Sequence, residues 1–288
     1  GSFLYSLLNH WMYIKEGFLP GGRIWKEFWS GNPIYATEAS FWAVFITALA
    51  GYGLSCLLHK EWKKGIAALT GVLIGNLINI QVGNRMVFMT TFVAMVIALG
   101  MFSIINRKNR KALRNALCMM VVIFLVVIVL CYLNIDKIQQ SSYYTSIISR
   151  DGGIFHNVRF AMIKETLQQL PDNLWGGGHI YPAGFAAVHN YWLQAANDTG
   201  IITLILWIIY TVIAIVDAVK LVFSKNISSR VKYMVIPMIS AVAAYMMMEQ
   251  AGAGRCDYVN FYVMLSAFMH QMVSNENNCK IEKIQEKQ

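Results

Sequence analysis

Long apolar segments alternate with shorter polar ones along most of this chain. Windows of about 19 residues identify seven segments that are candidate transmembrane helices. They cover residues 41–58, 65–80, 86–105, 116–133, 201–223, 233–248 and 259–273. The second segment is short, and Asn76 and Asn79 make its outer half polar, so we expect it to end in a water-filled cavity. The pattern predicts an all-α polytopic integral membrane protein with about seven transmembrane helices.

One polar interval is much longer than the others. About 57 residues, 134–190, separate the fourth and fifth apolar segments. Loops longer than about 15 residues are usually functional or disordered, and the many aromatic and Gly residues favour a folded loop. A helix over 159–170, ended by Pro171, would place four apolar side chains on one face: Phe160, Ile163, Leu167 and Leu170. We predict that this helix lies on the membrane surface or caps a cavity.

Composition agrees with a membrane location. Hydrophobic residues make up 57% of the chain and charged residues 14%, whereas a soluble domain is about half apolar and a quarter charged. The five cysteines form no CxxC pair, so we expect small buried side chains rather than disulfides or a metal site. Because the chain begins Gly1-Ser2 without a Met, we expect a fragment, a processed chain or a cloning scar.

The distribution of basic residues predicts the orientation. The loops 59–64, 106–115 and 224–232, with the tail 274–288, hold 14 of the 24 Lys and Arg residues and only four acidic residues. Cytoplasmic loops of membrane proteins carry such an excess, so these segments should be cytoplasmic. Topology thus accounts for the net charge of +9, and no nucleic-acid partner is expected.

The predicted organisation has five parts. Residues 1–40 form an extracytoplasmic segment, 41–133 contain four transmembrane helices, and 134–190 form a large extracytoplasmic loop. Residues 191–273 contain three more transmembrane helices, and 274–288 form a cytoplasmic tail. The short turns 81–85 and 249–258 should also face outward.

Several polar motifs lie at the outer ends of the predicted spans. Arg159 opens the loop helix, Gly176-Gly177-Gly178 follows it, and His189-Asn190-Tyr-Trp-Leu precedes Thr199-Gly200-Ile-Ile at the head of the fifth span. Gly83-Asn84-Arg85 opens the third span. This arrangement, over about residues 65–223, resembles that of bacterial O-antigen ligases and O-antigen or capsular polysaccharide polymerases. The family has Ser-Arg-Gly around its span-end Arg, so the match at Arg85 is partial.

The resemblance implies a metal-independent, cofactor-free glycosyltransferase of the C type, acting by inverting displacement. Such an enzyme moves a glycan from a polyprenyl diphosphate carrier to a glycan acceptor at the outer face of the bacterial cytoplasmic membrane. By this resemblance Arg85 and Arg159 would bind the diphosphate, and His189 would activate the acceptor hydroxyl. Ligase and polymerase differ only in the acceptor, which the residues do not specify, and we lean slightly to a polymerase.

These residue types suit that chemistry. A guanidinium group is always protonated and matches phosphate oxygens in a forked geometry, and imidazole has an ordinary pKa of about 6.5, which suits a base near neutrality. Alternatives stay open, since Arg85 would also serve as a headgroup anchor and Arg159 as a surface residue of its helix.

Other residues are assigned supporting roles. Asn190 would orient His189 or the sugar, and Arg23 would be a third phosphate contact. The amides of Gly176, Gly177 and Gly178 would either approach the diphosphate or simply form a tight turn. Five further residues are weaker candidates. His156 and His179 suit loop hydrogen bonds, Asp151 and Glu249 are reserve bases, and Asp198 suits capping of the following helix.

Two other classes of function are considered. A transporter or flippase would need charges and broken helices within the membrane, and the apolar segments contain almost no charge at mid-depth. A non-catalytic glycan-binding assembly subunit would use the long loop only to bind. The outer aromatic residues do not discriminate, because an interfacial aromatic belt accounts for most of them.

Overall fold

The structure is a computed structural model, and it describes residues 2–19, 24–35, 49–81, 86–111, 158–184, 188–248 and 257–285, with positions 114, 118 and 121. The part of the chain that the structure describes is mostly helical. Several residues of interest lie outside the described residues: Arg23, Arg85, Asp151, His156 and Glu249. Most of the predicted span 116–133 and the first half of the long loop also lie outside them.

Within these ranges the chain forms nine α-helices. They are α1 (Ser2–Glu16), α2 (Leu49–Leu58), α3 (Trp62–Gln81), α4 (Met86–Ile105), α5 (Val158–Gln169), α6 (Tyr191–Thr199), α7 (Ile201–Phe223), α8 (Ser229–Met246) and α9 (Asp257–Gln285). Two short 3-10 turns cover Leu170–Asn173 and Pro182–Gly184, and an antiparallel hairpin pairs β1 (Ile24–Lys26) with β2 (Pro33–Tyr35). Helices α2 to α4 and α7 to α9 lie where apolar segments predicted them.

Helix α7 is the one described helix that is both long enough and apolar enough to cross a membrane. Two shorter apolar helices cover Leu49–Leu58 and Thr90–Ile105. Only 11% of the apolar window of α7 is buried inside the protein. An exposed apolar surface of this size is more stable next to lipid than in water. The seven transmembrane helices therefore remain a prediction, with one clear membrane-length helix as its structural support.

The chain divides into two compact units, Gly1–Phe155 and His156–Gln288. The division falls inside the predicted loop 134–190 rather than at either of its ends. The long loop thus contributes α5 and the following turns to the second unit, together with α6 to α9.

In the first unit, the hairpin packs on α1. Trp25 and Ile34 are buried together, and Met12 and Tyr13 of α1 pack against them. Asn76 on α3 is also buried, and its side-chain amide donates to the Val72 carbonyl at 2.9 Å and lies 3.2 Å from the Thr91 hydroxyl of α4. Asn76 therefore has partners within the protein. The side chain of Asn79 lies outside the described residues, so the expectation that this segment ends in a water-filled cavity stays a prediction.

In the second unit, α7 packs against α6, α8 and α9. A buried cluster of Leu170, Ile180 and Ala196 joins the long-loop segment to α6. Helices α8 and α9 are joined by Tyr245 and Tyr258, whose rings stack at 4.5 Å and whose hydroxyls are 2.8 Å apart.

The predicted apolar face of α5 is partly exposed. Met162 and Thr166 are buried, whereas Phe160 and Leu167 are each more than half exposed. Leu170 is buried as expected, although it already belongs to the 3-10 turn. Exposed Phe160 and Leu167 leave both predicted placements open, on the membrane surface or over a cavity, and the placement of α5 stays a prediction.

Candidate functional site

Polar side chains of α6 hydrogen-bond to the main chain of the segment between α5 and α6. Asn197 of α6 is almost fully buried, and its side chain bonds both main-chain groups of Ile180 at 3.0 Å. One turn earlier, the Gln194 side chain accepts from the Val188 amide at 2.6 Å and donates to Asp198 at 2.7 Å. Two amide side chains on one helix therefore hold the segment that leads to His189.

The three consecutive glycines form a tight turn against the end of α6. All three have positive φ angles, 80°, 98° and 71°, a conformation that favours Gly. Their amides donate to protein carbonyls: Gly176 to Asn173 at 3.1 Å, Gly177 to Asp198 at 3.1 Å, and Gly178 to Asn197 at 2.8 Å. In this conformation none of the three amides is available to a phosphate, so the geometry favours the tight-turn interpretation over diphosphate binding.

This turn also sets the start of the membrane-length helix. The Ile201 amide, the first of α7, donates to the Leu174 carbonyl at 2.8 Å. A Cβ on Gly176 would lie 2.5 Å from the Gly200 nitrogen, and one on Gly200 would lie 2.8 Å from the Leu174 oxygen. The two backbones approach so closely that only Gly fits on either side.

His189 follows this segment and immediately precedes α6. Burial lowers the pKa of its imidazole to about 4, and the positive charge of Arg159 acts in the same direction. The Arg159 guanidinium, from the first turn of α5, is thus close enough to act electrostatically on His189. At neutral pH this pair consists of a cation and a neutral imidazole, which is able to accept a proton.

An anion bound at Arg159 would change that balance. Its negative charge would offset the guanidinium and raise the pKa of His189, making the imidazole a stronger base. The arrangement can therefore couple the binding of an anionic group to proton acceptance by a neighbouring imidazole.

Asn190 has a structural role beside His189. Its side-chain oxygen accepts from the Leu193 amide at 3.1 Å, which is the usual N-cap bond at the start of a helix. Its side-chain nitrogen donates to the Met247 carbonyl at the end of α8, at 3.3 Å. Since both ends of the amide are engaged, Asn190 joins α6 to α8 in this conformation.

An apolar groove of about 560 Å³ runs along α7, and we call it the α7 groove. Its walls are positions 204–218 of α7, Leu167 of α5, Asn190 and Leu193 of α6, and positions 239–247 of α8. At 1.5 Å per residue the α7 wall is about 21 Å long. Thr211 and Ser240 lie in the wall, and their hydroxyls donate to main-chain carbonyls at 2.7 and 2.8 Å. The surface that lines the α7 groove is therefore mainly apolar.

The remaining predicted residues fall into two groups. Arg85, Arg23, His156, Asp151 and Glu249 lie outside the described residues. Of those that are described, His179 is exposed beside the glycine turn, and Asp198 accepts from Gln194. Asp198 does not cap α7, because that position is occupied by Gly200. Among the described residues, no three His, Cys, Asp or Glu side chains are grouped as a metal site would require.

Sequence reasoning missed Gln194 and Asn197, the two residues that hold the loop. The available signal was their spacing, because residues three apart share a helix face and both lie just after the His-Asn pair. An amide pair on one face of a short helix indicates buried main-chain partners nearby when both side chains are buried.

Comparison with protein-family models finds no match, and comparisons with curated proteins and with solved structures find no significant one.

Proposed function

We propose that this protein is a bacterial membrane glycosyltransferase that polymerises or ligates O-antigen or capsular polysaccharide repeat units. The donor is a polyprenyl-diphosphate-linked oligosaccharide, the acceptor is a second glycan, and transfer takes place at the outer face of the cytoplasmic membrane. The proposal includes a multi-pass topology with about seven transmembrane helices. It rests on the resemblance of the loop motifs, to which the geometry of the second unit adds support.

The observation that carries the proposal is the pairing of Arg159 with a neutral His189 in one unit. A departing lipid diphosphate gains negative charge, which a guanidinium stabilises with two parallel hydrogen bonds. That same charge would raise the pKa of His189 just when an acceptor hydroxyl must lose its proton. Diphosphate binding and base activation would then be linked through two side chains.

The α7 groove supports a donor with a lipid carrier. Its apolar wall of about 21 Å follows the membrane-length helix, and Asn190, the residue after His189, lies on its lining. Its volume of about 560 Å³ is within the usual range for small-molecule sites, roughly 300–1,000 Å³. A prenyl chain in the groove would lie alongside α7 and bring the diphosphate toward the His189 end.

One contact in the second unit favours a transporter as the alternative function. Asp217 of α7 is buried at 3% exposure and lies 2.8 Å from the His270 imidazole of α9. Buried acids in membrane helices often mark transport pathways. However, Asp217 is six residues from the end of α7, about 9 Å, where Lys220 also lies 4.0 Å from it. This position suits pairing of two helices near the predicted cytoplasmic side.

The proposal is tested by reconstituting the full-length protein in liposomes with polyprenyl-diphosphate-linked repeat units and measuring elongated or transferred glycan. We expect product from the wild type and a loss of about 100- to 1,000-fold for Arg159→Ala, as for removal of one preorganised donor. His189→Ala should lose product to a similar degree. His179→Ala, an exposed histidine of the same segment, is the matched control and should retain activity.

Normal product from His189→Ala would contradict its role as the base. Movement of the intact lipid-linked substrate across the bilayer, without elongation, would instead identify a flippase. Binding of the glycan with neither outcome would identify a non-catalytic assembly subunit.

A further inference from the structure

Helix α1 leaves a row of large apolar side chains exposed, although it also packs against the hairpin. Leu4, Leu7, Trp11 and Ile14 are 53%, 41%, 51% and 66% exposed, and their spacing of three and four residues aligns them on one helix face. We call this row the α1 stripe. On the opposite side, Asn9 is fully buried. A helix on a water-soluble surface has the opposite arrangement, so the environment of the stripe is not water alone.

The inward face of α1 holds the β1–β2 hairpin through Asn9, beside the apolar contacts of Met12 and Tyr13. The Asn9 carbonyl accepts from the Trp25 indole at 3.0 Å, and its side-chain oxygen accepts from the Phe28 amide at 2.9 Å. Trp25 itself is 1% exposed. The hairpin thus covers the Asn9 side of the helix, and the α1 stripe is left facing away from it.

The hairpin extends the stripe with aromatic rings. Trp29 is 59% exposed, and it stacks on Tyr5 of α1 with ring centroids 5.8 Å apart. Phe28 packs on Trp11 at 6.0 Å, and the Lys15 ammonium lies 5.6 Å from the centre of the Trp11 ring. Exposed indoles with a Lys at their edge are typical of side chains that lie at the boundary between lipid and water.

The hairpin also limits how deeply α1 can lie. A two-stranded hairpin leaves main-chain groups without strand partners, which hydrocarbon cannot satisfy, and its turn is exposed around Gly31 and Asn32. Asn9, at the middle of α1, is bonded to that hairpin. These features favour a helix parallel to the membrane surface over one that crosses it.

We propose that the α1 stripe and Trp29 insert into the interfacial region of a phospholipid bilayer, with the hairpin turn in water. Helix α1 would then be an interfacial amphipathic helix that holds the first unit against the membrane. This inference depends on the protein being in a membrane and is independent of glycosyl transfer.

The test measures the depth of α1 in the full-length protein. Its five native cysteines are replaced by Ala, and nitroxide labels are attached one at a time at Leu4→Cys, Leu7→Cys, Trp11→Cys and Ile14→Cys. The labelled proteins are reconstituted in vesicles of phosphatidylethanolamine and phosphatidylglycerol. Collision rates with oxygen, which concentrates in lipid, and with a water-soluble nickel chelate report the depth of each label. Two reference positions complete the series: Asn32→Cys in the hairpin turn and Ile209→Cys on exposed α7.

We expect the four stripe labels to report one shallow depth, with Asn32 accessible to the chelate and Ile209 deep in lipid. A steady change of about 15 Å in depth from position 4 to position 14, at 1.5 Å per residue, would identify a crossing helix and overturn the proposal. Shielding of all four labels from both reagents would identify a protein partner on the α1 stripe. Free access of the chelate to the labels would place the α1 stripe in water. Either result overturns the proposal. A shallow Ile209 would show that the membrane location itself is wrong.

Discussion

The His189 imidazole is neutral at physiological pH because two effects disfavour its charged form. Burial removes the water that would solvate an imidazolium, and the Arg159 charge repels it, so the pKa falls to about 4. Such a group is a weak base until something nearby supplies negative charge. The lowered pKa therefore implies a base that its substrate activates, rather than one that is active in the free protein. A titration of His189 distinguishes these two cases.

We therefore predict that the carbon chemical shifts of isotopically labelled His189, measured by NMR in nanodiscs, titrate with a midpoint near pH 4. Arg159→Gln should raise the midpoint but keep it below about 6.5, because burial, the larger cause, remains. Lys164→Gln, on the exposed side of the same helix, is the control and should leave the midpoint unchanged. Equal midpoints in wild type and Arg159→Gln would show that the two groups do not interact.

The same shift makes stability depend on pH in a known direction. The unfolded chain takes up a proton at His189 near pH 6.5, whereas the folded protein does so only near pH 4. Between these values the unfolded state binds more protons, so the contribution of His189 to the free energy of unfolding is complete above pH 6.5 and decreases as the pH falls toward 4.

At the level of elements, the short helix α6 organises the region around His189. Its first turn is capped by Asn190, its middle holds the loop through Gln194 and Asn197, and its last turn receives the glycine turn. The Leu174 carbonyl, just before the glycine turn, accepts from the first amide of α7. A change in the glycine turn should therefore be transmitted to the start of the membrane-length helix.

Two glycine substitutions test this coupling. Gly176→Ala would place a Cβ 2.5 Å from the Gly200 nitrogen, whereas Gly178→Ala meets no atom within 4 Å. Both residues have positive φ, so Gly178→Ala isolates the backbone strain, roughly 1–2 kcal/mol, and Gly176→Ala adds a clash that requires backbone movement. We expect Gly176→Ala to lower the free energy of unfolding in detergent micelles clearly more than Gly178→Ala, and to speed hydrogen exchange at the Ile201 amide. Equal effects of the two variants would mean that the close approach is unimportant.

For the whole molecule, hydrophobicity along the sequence predicts the positions of the apolar helices well. Helix α7 covers the predicted residues 201–223, because an apolar run bounded by Gly200 and Ser224 leaves little choice of ends. Helix α9 continues to Gln285, well past the predicted end at 273, because a polar sequence can remain helical while a hydrophobicity window no longer detects it. The β1–β2 hairpin was missed since strands of three residues are too short to show an alternating pattern.

The faces of the helices were harder to predict, for a physical reason. In water, apolar residues mark the buried side, but next to lipid they are equally stable outside. Phe160 and Leu167 of α5 are exposed, as are Leu4 and Leu7 of α1, and a lipid environment would explain this exposure. In the site, the motif residues were found by resemblance, whereas Gln194 and Asn197 were not, because their partners are main-chain groups of Ile180 and Val188 that carry no side-chain signal.

The topology of the whole chain can be tested across α7 alone. This helix has 23 residues and a length of about 35 Å, enough to cross a hydrocarbon core of roughly 30 Å. Trp175, before it, is 86% exposed, and Asn226, after it, is also exposed. Lys225, Arg230 and Lys232 lie after the helix, so that end should be cytoplasmic.

We predict opposite labelling of these two positions in a variant without native cysteines. Trp175→Cys should react with a membrane-impermeant maleimide in intact spheroplasts, and Asn226→Cys should react only after lysis. Leu221→Cys, whose native side chain is fully buried, is the control for non-specific reaction and should stay unlabelled in both conditions. Labelling of both test positions in intact spheroplasts would show that α7 does not cross the membrane, and the reverse order would show that the site faces the cytoplasm. The reverse order would also exclude transfer at the outer face, since Trp175 belongs to the same turn that leads to His189.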